Sequence, residues 1–243
     1  MNNTHALAIG VLAVVTVSAA LGGCGQKATD PLAAARASFA QALRDSGLVT
    51  DPALANACAS VPLHELVDPP TGAEAYGEWP LVTTALGVTE SPIADVLMVQ
   101  AAKLRGGNDV LDVSPGIGYR AALCAFLGAH VVCLAGSPDE AQRLRAALQR
   151  VGCGSVIVEV GIKTDGCAKY GPYNVLFADW DPTGVPETVL DQVRNQGRVV
   201  LMPRAAPNAI SVFRCQKTTL QPVETIDLSW ALQQYRAARM AVK

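Results

Sequence analysis

The sequence is poor in aromatic residues and in charge. Aromatic side chains make up 5% of the 243 residues, charged side chains make up 16%, and the formal net charge is -2. So few aromatic groups do not provide a base-stacking surface, and a nearly neutral chain lacks the basic patch that holds nucleic acid. The composition therefore predicts no nucleic-acid partner and one substantial hydrophobic core.

Motifs of several common sites are also missing. No two cysteines have the C-x-x-C spacing, and the three histidines form no pattern typical of nucleophilic catalysis. We therefore predict neither a metal site nor a thioredoxin-like site. The cysteines other than Cys24 leave two alternatives. They are buried free thiols, or in an oxidising compartment some of them pair, with Cys124 and Cys133 as the candidates.

The N-terminus has the features of an export signal. Residues 6–23 contain no charged side chain and end in "LGGC" at Cys24. This pattern resembles a bacterial lipoprotein signal, which implies a signal peptide over 1–23, lipidation of Cys24 and a tether over 24–33. The protein is then expected on the extracytoplasmic (periplasmic) face of the cell envelope, with the membrane as a partner through its lipid. Because the first six residues lack Lys and Arg, an uncleaved anchor of about 18 residues remains the alternative.

Proline and glycine divide the rest of the chain into helices, loops and strands. We predict helices over 30–47 and 50–61 and a long loop with short strands up to residue 90. From residue 91 apolar strands alternate with helices, which predicts an α/β fold with a mostly parallel sheet and helices on both faces. After the tether, we therefore predict two regions: an N-terminal helical region over 34–90 and an α/β domain over 91–243. The predicted strands are "NDVLDV", "HVVCLAG", "SVIVEV", "YNVLFAD" and "RVVLMP", with a helix "PETVLDQVRNQG" before the last of them; two antiparallel strands and a helix end the chain.

A glycine-containing turn follows the first predicted strand of the α/β domain. It reads "DVSPGIGY" and contains Gly116 and Gly118. Glycines allow a ligand close to the backbone, and the N-terminus of the next helix offers free N–H groups to a phosphate or another anion. A single G-x-G is weak evidence because many turns of this kind bind nothing.

Several segments between about Arg36 and Pro203 follow one another in a particular order: "AYGEWPL", "ESPIADVLM", "VLDVSPGIGYRAALCA" and "VPETVLDQVRNQGRVVLMP". Their order and spacing show a resemblance to the protein-L-isoaspartate O-methyltransferase family. It implies a Rossmann-like class I methyltransferase fold with an N-terminal helical extension. It also implies S-adenosylmethionine as cofactor and methyl transfer to the free carboxylate of an isoaspartyl protein or peptide. That carboxylate is ionised near neutral pH, so the reaction requires alignment more than a general base.

The resemblance places the cofactor and substrate contacts on particular residues. On the substrate side, Glu90 stands where the family has Ser or Thr, next to Ser91. Pro115 offers no N–H, Ala135 stands in place of the ribose-binding acid, and Ile162 stands in place of the adenine-binding acid. We expect the last two positions to face the cleft. The cofactor positions are Asp112, Ser114, Gly116, Gly118, Tyr119, Ala135 and Ile162.

Two functions from different classes follow. The first is a protein carboxyl methyltransferase whose cofactor site has lost part of its contacts. The second is a non-catalytic envelope lipoprotein that uses the same cleft to bind a peptide or a partner. A methyltransferase with a different acceptor is a third possibility.

Overall fold

The computed structural model describes residues 30–67, 72–77, 82–83, 89–203 and 207–241. The signal peptide, Cys24 and most of the tether predicted above lie outside these residues. The helices are α1 Ala33–Asp45, α2 Pro52–Ser60, α3 Pro92–Ala102, α4 Tyr119–Phe126, α5 Pro138–Arg150, α6 Glu187–Leu190 and α7 Leu228–Ala241. The strands are β1 Val82–Thr83, β2 Thr89–Glu90, β3 Asp109–Asp112, β4 His130–Ala135, β5 Ile157–Val160, β6 Tyr173–Ala178, β7 Val193–Leu201, β8 Ala209–Gln216 and β9 Thr219–Asp227.

Seven strands form one sheet in the order β5-β4-β3-β6-β7-β8-β9. The strands from β5 to β7 run parallel, whereas β8 and β9 each run antiparallel to their neighbour. β1 and β2 form a separate antiparallel pair. The predicted Rossmann-like α/β fold with a mostly parallel sheet is confirmed, and so are the closing antiparallel strands and the last helix.

The two faces of the sheet carry separate layers of core. Successive residues of β3 point to opposite faces, so Val110 belongs to one hydrophobic cluster and Leu111 to the other. The first cluster lies under α3, α4 and α5, while the second is covered by the short α6 and its flanking turns. Because both faces are buried, the central strands are continuous apolar runs, as the sequence predicted.

The N-terminal helices share a core with the α/β part. Residues from Pro31 onward form one unit, and Phe39 of α1 belongs to the same cluster as Val110 of β3. Asp51 caps α2 by accepting a hydrogen bond from the Ala53 N–H at 2.8 Å. α7 packs against α1, where the rings of Phe39 and Tyr235 lie 5.7 Å apart.

One predicted helix is much shorter than expected. The sequence predicted a helix that ends at Gly197, but α6 ends at Leu190 and β7 begins at Val193. Residues 194–196 are exposed polar residues of that strand, so the segment shows no apolar alternation. The pairing of β6 with β7 also shifts register between Tyr173 and Val175. The prediction was therefore wrong about secondary structure, although the Rossmann-like topology is unaffected.

Of the two alternatives for the cysteines, the described residues show free thiols and no disulfide. The cysteines within the described residues are all free, and Cys124 and Cys133 are both fully buried. Burial raises the pKa of each of these two thiols above its usual value. This corresponds to the alternative of buried free thiols. None of the helices in the described ranges combines the length and the apolar character needed to cross a bilayer.

Candidate functional site

The strand order defines where a ligand cleft is expected. The chain passes from β3 to β4 on one side and returns to β6 on the other side of β3, so the order reverses between β3 and β6. In open α/β sheets a crevice forms at such a point, outside the carboxyl ends of the strands. The turn from Asp112 to Gly118 leaves β3 at this place, which puts the predicted glycine turn at the cleft.

The turn keeps the backbone shape that glycine allows. Gly116 and Gly118 have φ angles of +55° and +88°, which place both in the left-handed region. The Gly118 N–H donates to the Pro115 carbonyl oxygen at 2.8 Å, and the Gly118 carbonyl accepts the first bond of α4 from Ala122. Gly116 is exposed, while Pro115 is buried. The two glycines thus form a tight connection between β3 and α4.

A buried arginine occupies the inner side of this turn. The Arg120 guanidinium donates from Nε to Asp112 Oδ2 and from Nη2 to Asp112 Oδ1, both at 2.9 Å. Nη2 also donates to the Ser114 carbonyl oxygen at 2.6 Å, and the Ser114 N–H donates to Asp112 Oδ1 at 3.0 Å. Asp112 and Arg120 are 0% and 5% exposed. The acid expected at the cofactor site is therefore held by the protein itself.

The other edge of the guanidinium reaches α3. Arg120 Nη1 donates to Asp95 Oδ1 at 2.7 Å and contacts Met98 Sδ at 3.3 Å. The centroid of the Phe177 ring lies 5.3 Å from the guanidinium carbon of Arg120, within the range of a cation–π contact. Burial disfavours the charge, but Asp112 and Asp95 outweigh it and raise the pKa of Arg120. The network therefore holds a permanent cation between two carboxylates, and it joins α3, β3 and α4.

The structure does not place Ala135 at the open cleft. Ala135 is the last residue of β4 and is fully buried. It belongs to the first hydrophobic cluster, which lies under α3, α4 and α5. The expectation that it faces the cleft is therefore wrong. A carboxylate from α5 nevertheless lies close to this strand end, because Glu140 Oε2 accepts a hydrogen bond from the Gly136 N–H at 2.8 Å. Glu140 is half-buried and also lies in the first turn of α5, where Ser137 accepts from its N–H.

Ile162 lies two residues beyond the carboxyl end of β5 and is 66% exposed. It precedes a single 3-10 turn over Lys163–Asp165. The Lys163 ammonium nitrogen lies 3.6 Å from Asp179 Oδ2, which follows β6. This rim therefore presents an apolar side chain and an ion pair.

Tyr119 points away from the cleft into the core. Its side chain is fully buried, and its hydroxyl lies next to the Cys58 thiol. Burial raises the pKa of Tyr119 well above its usual value of 10.0 and raises the pKa of Cys58 from 9.0 to about 12. The tyrosine packs α4 against the N-terminal helices, and its side chain does not reach the cleft.

The substrate-side residues lie at the start of α3. Ser91 precedes this helix, is half-buried and makes no side-chain capping bond. Glu90 is the last residue of β2. Their roles stay predictions.

Sequence reasoning missed three charged groups around the site. Arg120 was visible as one cation in the apolar run "YRAALCAF", and Asp95 as one carboxylate in "PIADVLMV". A charge inside an apolar helix is a signal for a buried pair, although the sequence does not show the partner. Glu140 was visible as the last residue of "SPDE", which has the spacing of a capping box.

A separate cavity lies at the amino ends of the strands, opposite to the edge of the sheet where this turn lies. It has a volume of about 280 Å³ and is formed where the strands begin. Its lining includes Asp109, His130, Ile157, Tyr170 and Tyr173. Because none of the turn residues lines it, this cavity is not the predicted cofactor cleft. In the described ranges, no three His, Cys, Asp or Glu side chains are grouped so that they could hold a metal ion.

Comparison with known proteins places this chain in a known family. The family model of protein-L-isoaspartate(D-aspartate) O-methyltransferase matches residues 34–225. A protein-L-isoaspartate O-methyltransferase from Aeropyrum pernix is 31% identical over 198 residues, which cover 80% of this chain and 76% of that protein. One of the same name from Gloeobacter violaceus is 31% identical over 159 residues, which cover 65% of this chain and 77% of the relative.

Solved structures show the same fold. A protein-L-isoaspartate O-methyltransferase aligns with a TM-score of 0.67 at 22% identity, over 79% of this chain and 65% of the other. A putative enzyme of that name from Plasmodium falciparum, solved with S-adenosyl-L-homocysteine, aligns with a TM-score of 0.61 at 13% identity, over 79% and 95% of the two chains. The family model spans both the N-terminal helices and the turn after β3, and on that basis this chain belongs to the protein-L-isoaspartate O-methyltransferase family.

Proposed function

We propose that this chain is a protein-L-isoaspartate O-methyltransferase-like protein in which binding of S-adenosylmethionine, and with it methyl transfer to isoaspartyl carboxylates, is strongly weakened. The observation that supports this most is the bidentate contact of Arg120 with Asp112. The family's cofactor is S-adenosylmethionine, and the resemblance puts several of its contacts on the turn after β3. In this chain the carboxylate at that place is satisfied internally.

The remaining cofactor positions support the same proposal. Pro115 has no N–H to donate, Ala135 carries no acid and is buried, and Ile162 is apolar. Each missing charged contact is worth about 1.5–3 kcal/mol. Two such losses lower affinity by about 10²–10⁴-fold. The residues present do not fit the cofactor in the family's manner, so we derive no reaction step through it.

On the substrate side, the resemblance puts Glu90 at the position of the family's Ser or Thr, and Ser91 is its neighbour. Ser91 stands at the start of α3, close in sequence to the motif that the resemblance assigns to the acceptor carboxylate. Glu90 adds a negative charge to this segment, which opposes an anionic acceptor. The proposed acceptor class remains the isoaspartyl carboxylate of a protein or peptide, bound less well than in relatives with Ser or Thr at this position.

Titration and turnover test this proposal together. Calorimetry of the domain from Gly25 onward with S-adenosylmethionine is expected to give a dissociation constant in the millimolar range or no heat. Methyl transfer to an isoaspartyl peptide, with the matching aspartyl peptide as control, is expected to be far below that of a relative assayed in parallel. Micromolar cofactor binding with turnover on the isoaspartyl peptide alone would refute the weakened site and support an active enzyme.

A second candidate is a non-catalytic lipoprotein of the cell envelope that binds a peptide or a partner in the same cleft. It is favoured by Cys24 after an uncharged apolar segment and by the internally satisfied turn. In this proposal the family fold serves as a binding scaffold, and the lipid on Cys24 holds it at the membrane on the extracytoplasmic side.

Processing at Cys24 tests the location. Full-length protein expressed in a bacterial host is expected to enter the detergent phase with the mass of a lipidated chain that starts at Cys24. Cys24→Ser is expected to stay uncleaved or to be released. An uncleaved wild-type mass, with the same membrane association in Cys24→Ser, would support a membrane anchor instead of a lipid.

A further inference from the structure

We propose that Arg120 closes the cofactor turn from inside, so that the turn rejects any ligand that brings an ammonium group to the end of β3. This inference rests on the proposed function and deepens it by naming the residue that determines which ligands the cleft takes.

A ligand ammonium requires acceptors, because it has only N–H donors. The acceptors that lead from β3 into the turn include the two carboxylate oxygens of Asp112 and the carbonyl oxygen of Ser114. Arg120 binds all three, at 2.6 to 2.9 Å. S-adenosylmethionine and S-adenosylhomocysteine each carry an α-ammonium at the amino-acid end, and that group would have to share these acceptors with the Arg120 cation.

The guanidinium is also fully satisfied. Its five N–H groups have five acceptor contacts: Asp112 Oδ1, Asp112 Oδ2, Ser114 O, Asp95 Oδ1 and Met98 Sδ. A ligand that displaced it would leave a buried cation without these partners, which is strongly unfavourable. Arg120 is moreover joined to the turn through the chain, so a free ligand competes with an intramolecular group. Arg120 is therefore a specificity-determining residue that mimics a bound cation.

A charge-matched double variant tests this role. Arg120→Gln combined with Asp95→Asn removes the guanidinium and one carboxylate. The three positions then carry only the charge of Asp112, which is -1, and this equals their net charge in the wild type. Asp95→Asn alone is the matched control, because asparagine keeps the Oδ1 acceptor and Arg120 stays on Asp112. Each protein is titrated with S-adenosylhomocysteine by calorimetry, and its unfolding temperature is measured with and without the ligand.

We expect the double variant to bind S-adenosylhomocysteine about tenfold or more tightly than the control, since one charge-assisted contact is regained. Equal affinity of the folded double variant and the control would overturn the inference while leaving the proposed weak site intact. Micromolar binding by the wild type would refute both. The two failures are therefore distinguishable.

A measurement on the wild type decides the matter if the double variant does not fold. 5′-Methylthioadenosine has the nucleoside and thioether of S-adenosylhomocysteine but no amino-acid end. If Arg120 closes the turn, the wild type is expected to bind the two ligands within about threefold of each other, because the ammonium contributes nothing. A tenfold preference for S-adenosylhomocysteine would show that the turn holds the amino-acid end, and would overturn the inference.

Discussion

Gly118 lies against Leu144, and a β-carbon built on the glycine would come within 2.7 Å of Leu144 Cδ1. This contact packs the turn after β3 against α5. It gives Gly118 a structural reason to be glycine that is independent of any ligand.

Gly118→Ala is expected to destabilise the fold by about 2–4 kcal/mol, because the new methyl group overlaps Leu144 and the backbone φ is +88°. Chemical denaturation measures the free energy of unfolding. Gly107→Ala is the control, since Gly107 has φ +78° with nothing within 4 Å of the added carbon, so only the backbone cost of about 1 kcal/mol applies. Equal losses in the two variants would show that the contact with Leu144 does not matter.

Asp112→Asn is expected to lower the free energy of unfolding by about 3–5 kcal/mol, because it removes one charge of a buried pair and keeps the shape. The comparison is Lys169→Gln, which breaks an exposed ion pair with Glu159. That variant is expected to unfold like the wild type, since exposed pairs contribute little. A stable Asp112→Asn protein would mean that Asp95 alone can hold Arg120.

Alkaline pH is expected to destabilise the protein partly through Cys58. Burial raises the pKa of this thiol from 9.0 to about 12 in the folded state. The unfolded chain therefore loses the proton first. Between these values stability falls by about 1.4 kcal/mol per pH unit for this group, while below pH 9 its contribution is fully present. Cys58→Ala is expected to flatten the decline between about pH 9 and about pH 10.5 in denaturation experiments; an unchanged slope would contradict the shift.

Ala135→Glu and Ile162→Asp restore acids at two family positions but are expected to differ in stability. Ala135 is fully buried, so a glutamate there is expected to cost about 3 kcal/mol or more unless it is reached by solvent. Ile162 is 66% exposed, and its replacement by aspartate is expected to stay within about 0.5 kcal/mol. Thermal unfolding of each single variant separates them. A stable Ala135→Glu protein would show that this strand end can open toward the cleft.

The sequence predicted the sheet well because its central strands are short apolar runs between glycine- and proline-containing turns. It failed at residues 194–196, where exposed polar residues belong to a strand whose pairing is set by β6 and not by its own pattern. The sequence pattern predicts that Gly197 ends a helix. In the structure it is a strand residue at which a β-carbon would come within 2.8 Å of the Arg194 carbonyl oxygen. Local composition does not contain that information.

The candidate site was predicted only in outline. The turn, its glycines and its position at the carboxyl end of β3 follow from local pattern. The position of Arg120 inside the turn does not follow from local pattern, because its partner Asp95 lies 25 residues earlier in the chain. Ala135 shows the same limit, since alignment gives a position in the family but not the direction in which its side chain points.

The arrangement of the sheet also has a consequence for the order of folding. β7, β8 and β9 are consecutive in the chain and antiparallel. β7 pairs with β8, and β8 pairs with β9. β3 instead pairs with β6, for example at Val110 and Val175, and that pairing closes a long segment containing β4 and β5. Closing a long segment costs more chain entropy than closing a hairpin. We therefore expect the C-terminal strands to assemble early, and the junction beneath the cofactor turn to form in the rate-limiting step.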